Sequence, residues 1–223
     1  MAASIKSVLF DLDGTLLDRR SSLRRFAHWQ ASGMLRREIS DPEAFCERFT
    51  ELDDNGGVLK NEVYSQLVDL FDIRDWSVAE LTRSYDLCFS GFCRPKEGVV
   101  NAVSALQSMG FILGVVSNGR SPFQERNFHA LGMSELFEVL IVSGSVGLRK
   151  PDRRIFELAT GQTGIAAKDT AFVGDNPEAD IDGANACGMY TVYIPGHFGQ
   201  TCNAADATCA HYDHLVDLIR YAR

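Results

Sequence analysis

Short apolar runs alternate with helical patterns along most of the chain, and this alternation restricts the possible folds more than any other feature. The apolar runs are rich in β-branched or aromatic residues and indicate buried strands at residues 8–10, 111–116, 139–142, 171–173 and 190–194. Helical periodicity fills the segments between them. Because continuous hydrophobicity is typical of strands covered on both faces, the order predicts right-handed βαβ units and an α/β fold with a parallel sheet.

Residues 18–94 interrupt this alternation, because they contain helical patterns and no convincing strand. Two helix starts are marked within them. Asp41 followed by Pro42 is typical of an N-cap with proline at the first helical position, and Ser77 with Glu80 fits a capping box. The segment is therefore predicted to be an all-helical insert. Its helices could equally pack around a small core of their own or cover the sheet.

Charge and composition exclude several classes of protein. Asp and Glu number 30 against 22 Lys and Arg, and the resulting net charge of −8 argues against a nucleic-acid partner. The sequence contains no apolar run of transmembrane length, so we expect no membrane partner. The first apolar run follows the N-terminus without a signal-peptide pattern, and the 6 cysteines form no C-x-x-C pair. These features predict reduced thiols and a cytoplasmic location.

The first predicted strand is followed by the sequence D-L-D-G-T at residues 11–15. Gly14 permits a turn that begins near Asp13 and brings the carboxylates of Asp11 and Asp13 to one site. A calcium loop is excluded, because its required Gly and Glu are absent from the sixth and twelfth positions. A polar turn with an acidic cap is the alternative.

Polar residues also follow the second and third strands of the predicted core. Ser117, Asn118 and Gly119 offer a hydroxyl, an amide and backbone N–H groups that could bind an anion, although the same residues are typical of an ordinary turn. Lys150 stands just before a helix start, where a cation opposes the helix dipole. Its position therefore suggests that an anion compensates it.

Two further acidic residues, Asp175 and Asp180, follow the fourth strand, and Asp180 could equally serve as a helix cap. Because the carboxyl ends of parallel strands converge on one crevice, we expect Asp175 to lie near Asp11 and Asp13. Clustered carboxylates raise one another's pKa values unless a cation compensates them. Hard oxygen ligands of this kind suit Mg²⁺.

These four groups of residues, in this order and each behind a strand, resemble the four motifs of the haloacid dehalogenase superfamily. The resemblance implies a Rossmann-like catalytic core made of residues 1–17 and 95–223, with residues 18–94 as a helical cap of type I. It also implies a phosphoric monoester hydrolase, a Mg²⁺-dependent phosphatase that acts on a small molecule through an aspartyl-phosphate intermediate.

The resemblance further implies a role for each motif residue. Asp11 would be the nucleophile, Asp13 the general acid and base, and Lys150 the cation that neutralises the reacting groups. The remaining residues would bind phosphate or metal or support those that do: Ser117, Asn118 and Gly119 for the phosphoryl oxygens; Asp11, the Asp13 carbonyl oxygen and Asp175 for Mg²⁺; Asp180 and Thr15 as supporting residues.

The carboxylate of Asp13 favours phosphoryl transfer over halide displacement, because a departing halide needs no proton. A phosphomutase that transfers phosphate within a sugar phosphate shares all four motifs and remains an alternative. A receiver-like phospho-acceptor without enzymatic activity is a second alternative. The expected partner is a small phosphorylated metabolite of the sugar phosphate or nucleoside monophosphate class, bound by a monomer or homodimer.

Substrate choice is expected to depend on the helical insert. The candidate residues are polar or cationic and follow the first motif or lie in a predicted loop: Arg19, Arg20, Arg24, Asn55 and Lys60. The same side chains could equally belong to a solvated surface.

Overall fold

A parallel sheet of six strands forms the centre of the α/β fold in a computed structural model that describes residues 5–196 and 201–222. The strands are β1 (Ser7–Phe10), β2 (Ile112–Ser117), β3 (Val139–Val142), β4 (Thr170–Gly174), β5 (Tyr190–Tyr193) and β6 (Ala207–Thr208). Their order across the sheet is β3-β2-β1-β4-β5-β6. The predicted fold class is confirmed. The sequence did not reveal β6, because a strand of two residues carries no periodic pattern.

The helices of the described residues lie between the strands and within the insert. They are α1 (Arg19–Trp29), α2 (Pro42–Asp53), α3 (Lys60–Phe71), α4 (Val78–Cys88), α5 (Val99–Ser108), α6 (Phe123–His129), α7 (Ser143–Val146), α8 (Arg153–Thr163), α9 (Gly183–Ala186) and α10 (Leu215–Arg220). Gln30–Met34 and Pro177–Asp182 are π-helical. Among all these described helices, none has both the length and the apolar character needed to cross a bilayer.

The described residues form two compact units. Asp18–Arg94 is an all-helical unit that contains α1 to α4, and the described residues before and after it form the α/β unit. The helical unit has an aromatic core of its own, in which Phe26 meets Tyr85 with ring centroids 5.4 Å apart and Phe49 meets Tyr64 at 5.2 Å. Edge-to-face pairs of this kind fill the space between helices efficiently.

The two predicted helix starts in the insert are confirmed. The Asp41 carboxylate accepts hydrogen bonds from two backbone N–H groups at the start of α2, and Pro42 is the first helical residue. At the start of α4, the Ser77 hydroxyl accepts a bond from the Glu80 N–H, while the Glu80 carboxylate accepts one from the Ser77 N–H. Both starts satisfy N–H groups that the helix itself leaves without acceptors.

The sheet and the helices that cover it bury a continuous apolar core. Leu9 and Phe172 on neighbouring strands pack with Ile155 and Phe156 of α8, and all four are fully buried. The Phe156 and Phe172 rings meet edge to face with centroids 5.2 Å apart. Burial on both faces of the central strands explains why their sequences read as continuous apolar runs.

Leu9→Ala should destabilise the protein, because it leaves a cavity at the centre of this core. We expect the free energy of unfolding to fall by about 2–5 kcal/mol in chemical denaturation. The control is Val100→Ala on α5, where the side chain is 40% exposed and the change should stay within about 0.5 kcal/mol. Equal losses in the two variants would contradict the assignment of Leu9 to the core.

Candidate active site

The residues predicted from three of the four motifs lie at the carboxyl ends of adjacent parallel strands. Phe10 on β1 is in register with Val115 on β2 and with Val173 on β4. Asp11 therefore leaves β1 beside the end of β4, and its N–H donates to the Val173 carbonyl oxygen at 2.9 Å. Ser117 ends β2, and Asp175 follows β4 directly. The edge at which these strands end is thus the place where the candidate groups meet.

A tight turn at Gly14 brings the first motif to this edge, as the sequence predicted. The Gly14 N–H donates to the Leu17 carbonyl oxygen at 3.0 Å, and Gly14 has a φ of +84°. A Cβ at this position would lie 2.0 Å from the Asp175 Oδ2 atom. Glycine is therefore required here both by the left-handed backbone and by the close approach of the Asp175 carboxylate.

Lys150 is the buried cation of the site. Its Nζ lies 2.6 Å from the Asp11 Oδ1 atom and 2.7 Å from the Asp180 Oδ1 atom, and the residue is only 2% exposed. The other Asp180 oxygen accepts the Asn176 N–H at 3.0 Å. Asp180 thus holds Lys150 against Asp11, a contact that goes beyond helix capping.

Asn118 of the second motif holds the backbone of Lys150 through two hydrogen bonds. The Asn118 side chain donates from Nδ2 to the Lys150 carbonyl oxygen and accepts from the Lys150 N–H through Oδ1, both at 2.9 Å. Its amide is therefore used to place Lys150, and phosphate binding by the Asn118 backbone stays a prediction.

Gly119 is hydrogen-bonded to the segment after β3, and its anion-binding role stays a prediction. Its N–H donates to the Ser143 Oγ at 2.9 Å, and its carbonyl oxygen accepts the Gly144 N–H at 2.9 Å. These bonds tie the loop after β2 to the segment after β3. A Cβ on Gly119 would also lie 2.5 Å from Cγ of Gln124, so this glycine serves close packing.

Burial and crowding of like charges shift the pKa values in the site. Burial raises the pKa of Asp11 well above its usual value, although Lys150 opposes the shift. Burial, followed by the charge of Asp180, raises the pKa of Asp175 to about 7. Burial alone would lower the pKa of Lys150, but Asp11 and Asp180 outweigh it and the pKa is raised. Lys150 therefore stays charged, whereas the carboxylates repel one another.

Three carboxylates of this site could hold a metal ion. Oxygen atoms of Asp11, Asp175 and Asp180 all lie within 4.8 Å of one another. Carboxylate oxygens alone suit a hard cation, and a divalent ion would relieve the repulsion that raises the Asp175 pKa. The donor chemistry therefore fits Mg²⁺. The sequence placed Asp180 as a supporting residue and expected a ligand from the Asp13 carbonyl oxygen, which stays a prediction.

Two residues of the site were missed by sequence reasoning. Gln124 on α6 donates from Nε2 to the Asp13 Oδ2 at 2.5 Å. The buried Tyr212 hydroxyl donates to the carbonyl oxygen of Thr15 at 2.6 Å and so holds the first motif from the C-terminal segment. Neither residue is charged or belongs to one of the four motifs, so no sequence pattern pointed to either of them.

Two of the five specificity candidates in the helical unit meet at one carboxylate. Arg19 and Lys60 both bind the buried carboxylate of Asp53. Burial would raise the pKa of Asp53, but the hydrogen bond and charge of Arg19 outweigh it and the pKa is lowered.

The remaining candidates, Arg20, Arg24 and Asn55, are exposed. Arg24 pairs with Glu43 at 2.5 Å, and Asn55 lies in the left-handed turn after α2. An exposed pair of this kind is weak and is typical of a solvated surface. A role in substrate choice stays a prediction for all five candidates.

Known proteins similar to this chain share both its sequence pattern and its fold. The family model of haloacid dehalogenase-like hydrolases matches residues 5–188. A glyceraldehyde 3-phosphate phosphatase of Methanopyrus kandleri is 29% identical over 85% of this chain and 84% of its own length. An N-acetylmuramic acid 6-phosphate phosphatase of Pseudomonas aeruginosa is 28% identical over 96% and 95%.

Among solved structures, a HAD-superfamily hydrolase of subfamily IA from Geobacter sulfurreducens has a similar fold. Its TM-score is 0.74 at 20% identity, with 96% of each chain covered. Because the family model spans most of the sequence, the chain belongs to the haloacid dehalogenase-like hydrolases. The predicted family is confirmed, and so is the expected class of enzyme, a hydrolase whose relatives are named phosphatases.

Gly14→Ala should abolish activity, because a methyl group would displace the Asp175 carboxylate and strain a backbone with positive φ. We expect the rate of ester hydrolysis to fall at least about 100-fold, by analogy with other losses of site geometry. The matched control is Gly161→Ala within α8, where a Cβ would meet no atom within 4 Å. Full activity in Gly14→Ala would contradict the geometry described for this turn.

The stability of the metal-free protein should depend on the Asp175 proton. The pKa of Asp175 is about 7 in the folded protein and about 4 in the unfolded chain. The contribution of the protonated Asp175 to the free energy of unfolding is therefore complete below about pH 4 and is lost as the pH rises through 7. In EDTA, the melting temperature should therefore fall more between about pH 4 and 7 in the wild type than in Asp175→Asn. Parallel pH profiles for the two proteins would argue against the raised pKa.

Proposed function

We propose that the protein is a Mg²⁺-dependent phosphatase that hydrolyses a small-molecule phosphate monoester through an aspartyl-phosphate. The observation that carries the proposal is the Lys150 ammonium bound between Asp11 and Asp180 beside Asp175. An anionic nucleophile approaches an anionic phosphate only where cations cancel the repulsion. The site provides the buried nucleophile, one fixed cation and a carboxylate cluster suited to a second.

In the first half of the reaction, an oxygen of Asp11 forms a bond to phosphorus as the bond from phosphorus to the leaving oxygen breaks. Asp13 in its protonated form gives its proton to that leaving oxygen, so an alcohol departs. In the second half, Asp13 as carboxylate removes a proton from water, and the water oxygen attacks phosphorus. This step releases inorganic phosphate and restores the Asp11 carboxylate.

In this proposal, Mg²⁺ would be held by the carboxylates of Asp11 and Asp175 and by the carbonyl oxygen of Asp13. The Asp180 carboxylate would support this site. Mg²⁺, when bound, supplies positive charge that neutralises nonbridging oxygens of the phosphoryl group. Lys150, whose Nζ lies 2.6 Å from the Asp11 Oδ1 atom, would neutralise charge on Asp11. The hydroxyl of Ser117, the last residue of β2, would donate to a phosphoryl oxygen.

The proposed substrate is a small phosphorylated metabolite. Relatives that align over most of this chain are named as phosphatases of glyceraldehyde 3-phosphate and N-acetylmuramic acid 6-phosphate, and one that aligns over about half is named as a pyrimidine 5′-nucleotidase. Their names support the sugar phosphate or nucleotide class for this chain. The helical unit, Asp18–Arg94, would act as the cap that excludes water and selects the leaving group.

The test is the release of inorganic phosphate from a panel of sugar phosphates, nucleoside monophosphates and p-nitrophenyl phosphate, with Mg²⁺ or with EDTA. Asp11→Asn should reduce release at least about 1,000-fold on every ester, because the amide is not a competent nucleophile. The matched control is Asp69→Asn on the exposed face of α3, which should retain full activity.

Four outcomes would contradict the proposal. Undiminished turnover in EDTA would exclude the metal, and undiminished turnover in Asp11→Asn would exclude the nucleophile. Conversion of a sugar phosphate to its isomer without release of phosphate would indicate a phosphomutase, whereas retention of one phosphate per chain without turnover would indicate a phospho-acceptor.

A further inference from the structure

Gln124 is a buried amide that contacts two different motifs of the site. It lies in the first turn of α6 and is 3% exposed. Its Nε2 atom lies 2.5 Å from the Asp13 Oδ2 atom and 3.0 Å from the Ser117 Oγ. One amide nitrogen carries two protons, so it can donate to both oxygens at once. Gln124 therefore links the expected general acid to the expected phosphate-binding hydroxyl.

A hydrogen bond from Asn127 fixes the orientation of the Gln124 amide. Asn127, which is 1% exposed, donates from Nδ2 to the Gln124 Oε1 at 3.1 Å. That bond occupies the oxygen end of the amide and leaves the nitrogen end facing Asp13. The reverse orientation would place an amide oxygen against a carboxylate oxygen, which is repulsive in a buried site. The missing Cβ of Gly119 admits the side chain, since that atom would lie 2.5 Å from the Gln124 Cγ.

The two donated bonds have different consequences. At Ser117, the Oγ accepts from Gln124, so the hydroxyl keeps its own proton to donate to a phosphoryl oxygen. At Asp13, the bond to Oδ2 restricts rotation of the carboxyl group. A general acid acts efficiently only when its proton lies within hydrogen-bond reach of the leaving oxygen.

We infer that Gln124 is a positioning residue, which orients the Asp13 carboxyl group for proton transfer to the leaving group. The inference rests on the proposed phosphatase function and adds a residue outside the four motifs. Gln124 itself exchanges no proton, and it affects the departure of the leaving group through its bond to Asp13. Its removal should therefore impair a specific step, the departure of leaving groups that need a proton.

The test compares esters that differ in their need for protonation. An alkyl phosphate has a basic leaving group, whereas p-nitrophenyl phosphate releases a stable phenolate. In Gln124→Met, which keeps the length of the side chain but lacks its donors, kcat/KM for the alkyl ester should fall about 10–100-fold. For p-nitrophenyl phosphate it should stay within about threefold. The ratio of the two values, measured on one sample, does not depend on the fraction of folded protein.

A second variant keeps the inference testable if Gln124→Met does not fold. Asn127→Leu removes the donor that orients the amide, and it should change the same ratio in the same direction by a smaller factor. The matched control is Gln107→Met at an exposed position of α5, which should leave the ratio unchanged.

The outcomes separate the inference from the proposed function. Hydrolysis of both esters by the wild type, with a selective loss in Gln124→Met, supports both. Equal losses on the two esters, or no loss, overturn the positioning role while the phosphatase function stands. Failure of the wild type to hydrolyse either ester with Mg²⁺ overturns the phosphatase function and the inference with it.

Discussion

The contact of the Lys150 ammonium with Asp11 and Asp180 is the interaction on which the site depends. All three side chains are buried, and removal of one partner from such a cluster leaves an uncompensated charge in a medium that solvates it poorly. The surrounding structure is arranged to keep the cluster intact. Asn118 holds the Lys150 backbone at both its N–H and its carbonyl oxygen, and a Cβ on Gly174 would lie 2.4 Å from Asp180.

The same electrostatics connect the fold to the proposed chemistry. A parallel sheet brings the residues after β1, β2 and β4 to one edge, so carboxylates distant in sequence are forced together. One lysine cannot neutralise them all, and burial with the charge of Asp180 raises the Asp175 pKa to about 7. A divalent cation would offset this excess of negative charge. The site is thus suited to phosphoryl transfer because its own charges are incompletely balanced.

The sequence was sufficient to predict five of the six strands, and the sheet edge at which Asp11, Ser117 and Asp175 lie, for two physical reasons. Strands covered on both faces read as continuous apolar runs, and the groups that follow them share one edge. Long-range side-chain contacts were not predictable. Gln124 has no local signal, because its role depends on Asp13, which lies 111 residues away. The bond from the Gly119 N–H to the Ser143 Oγ likewise joins segments that are distant in sequence. The absence of a strand pattern predicted that residues 18–94 form a helical insert. Which of their side chains would contact a substrate depends on tertiary packing, which periodicity does not encode.

The most direct test of the account is chemical trapping of the covalent intermediate. The Asp13→Asn variant can be mixed with Mg²⁺ and p-nitrophenyl phosphate, whose leaving group needs no proton, and then quenched with borohydride, which reduces an acyl phosphate to the alcohol. Peptide mass spectrometry should then find homoserine in place of Asp11, and only when substrate was present. A burst of p-nitrophenolate with an unmodified Asp11, or reduction at another carboxylate, would contradict the account.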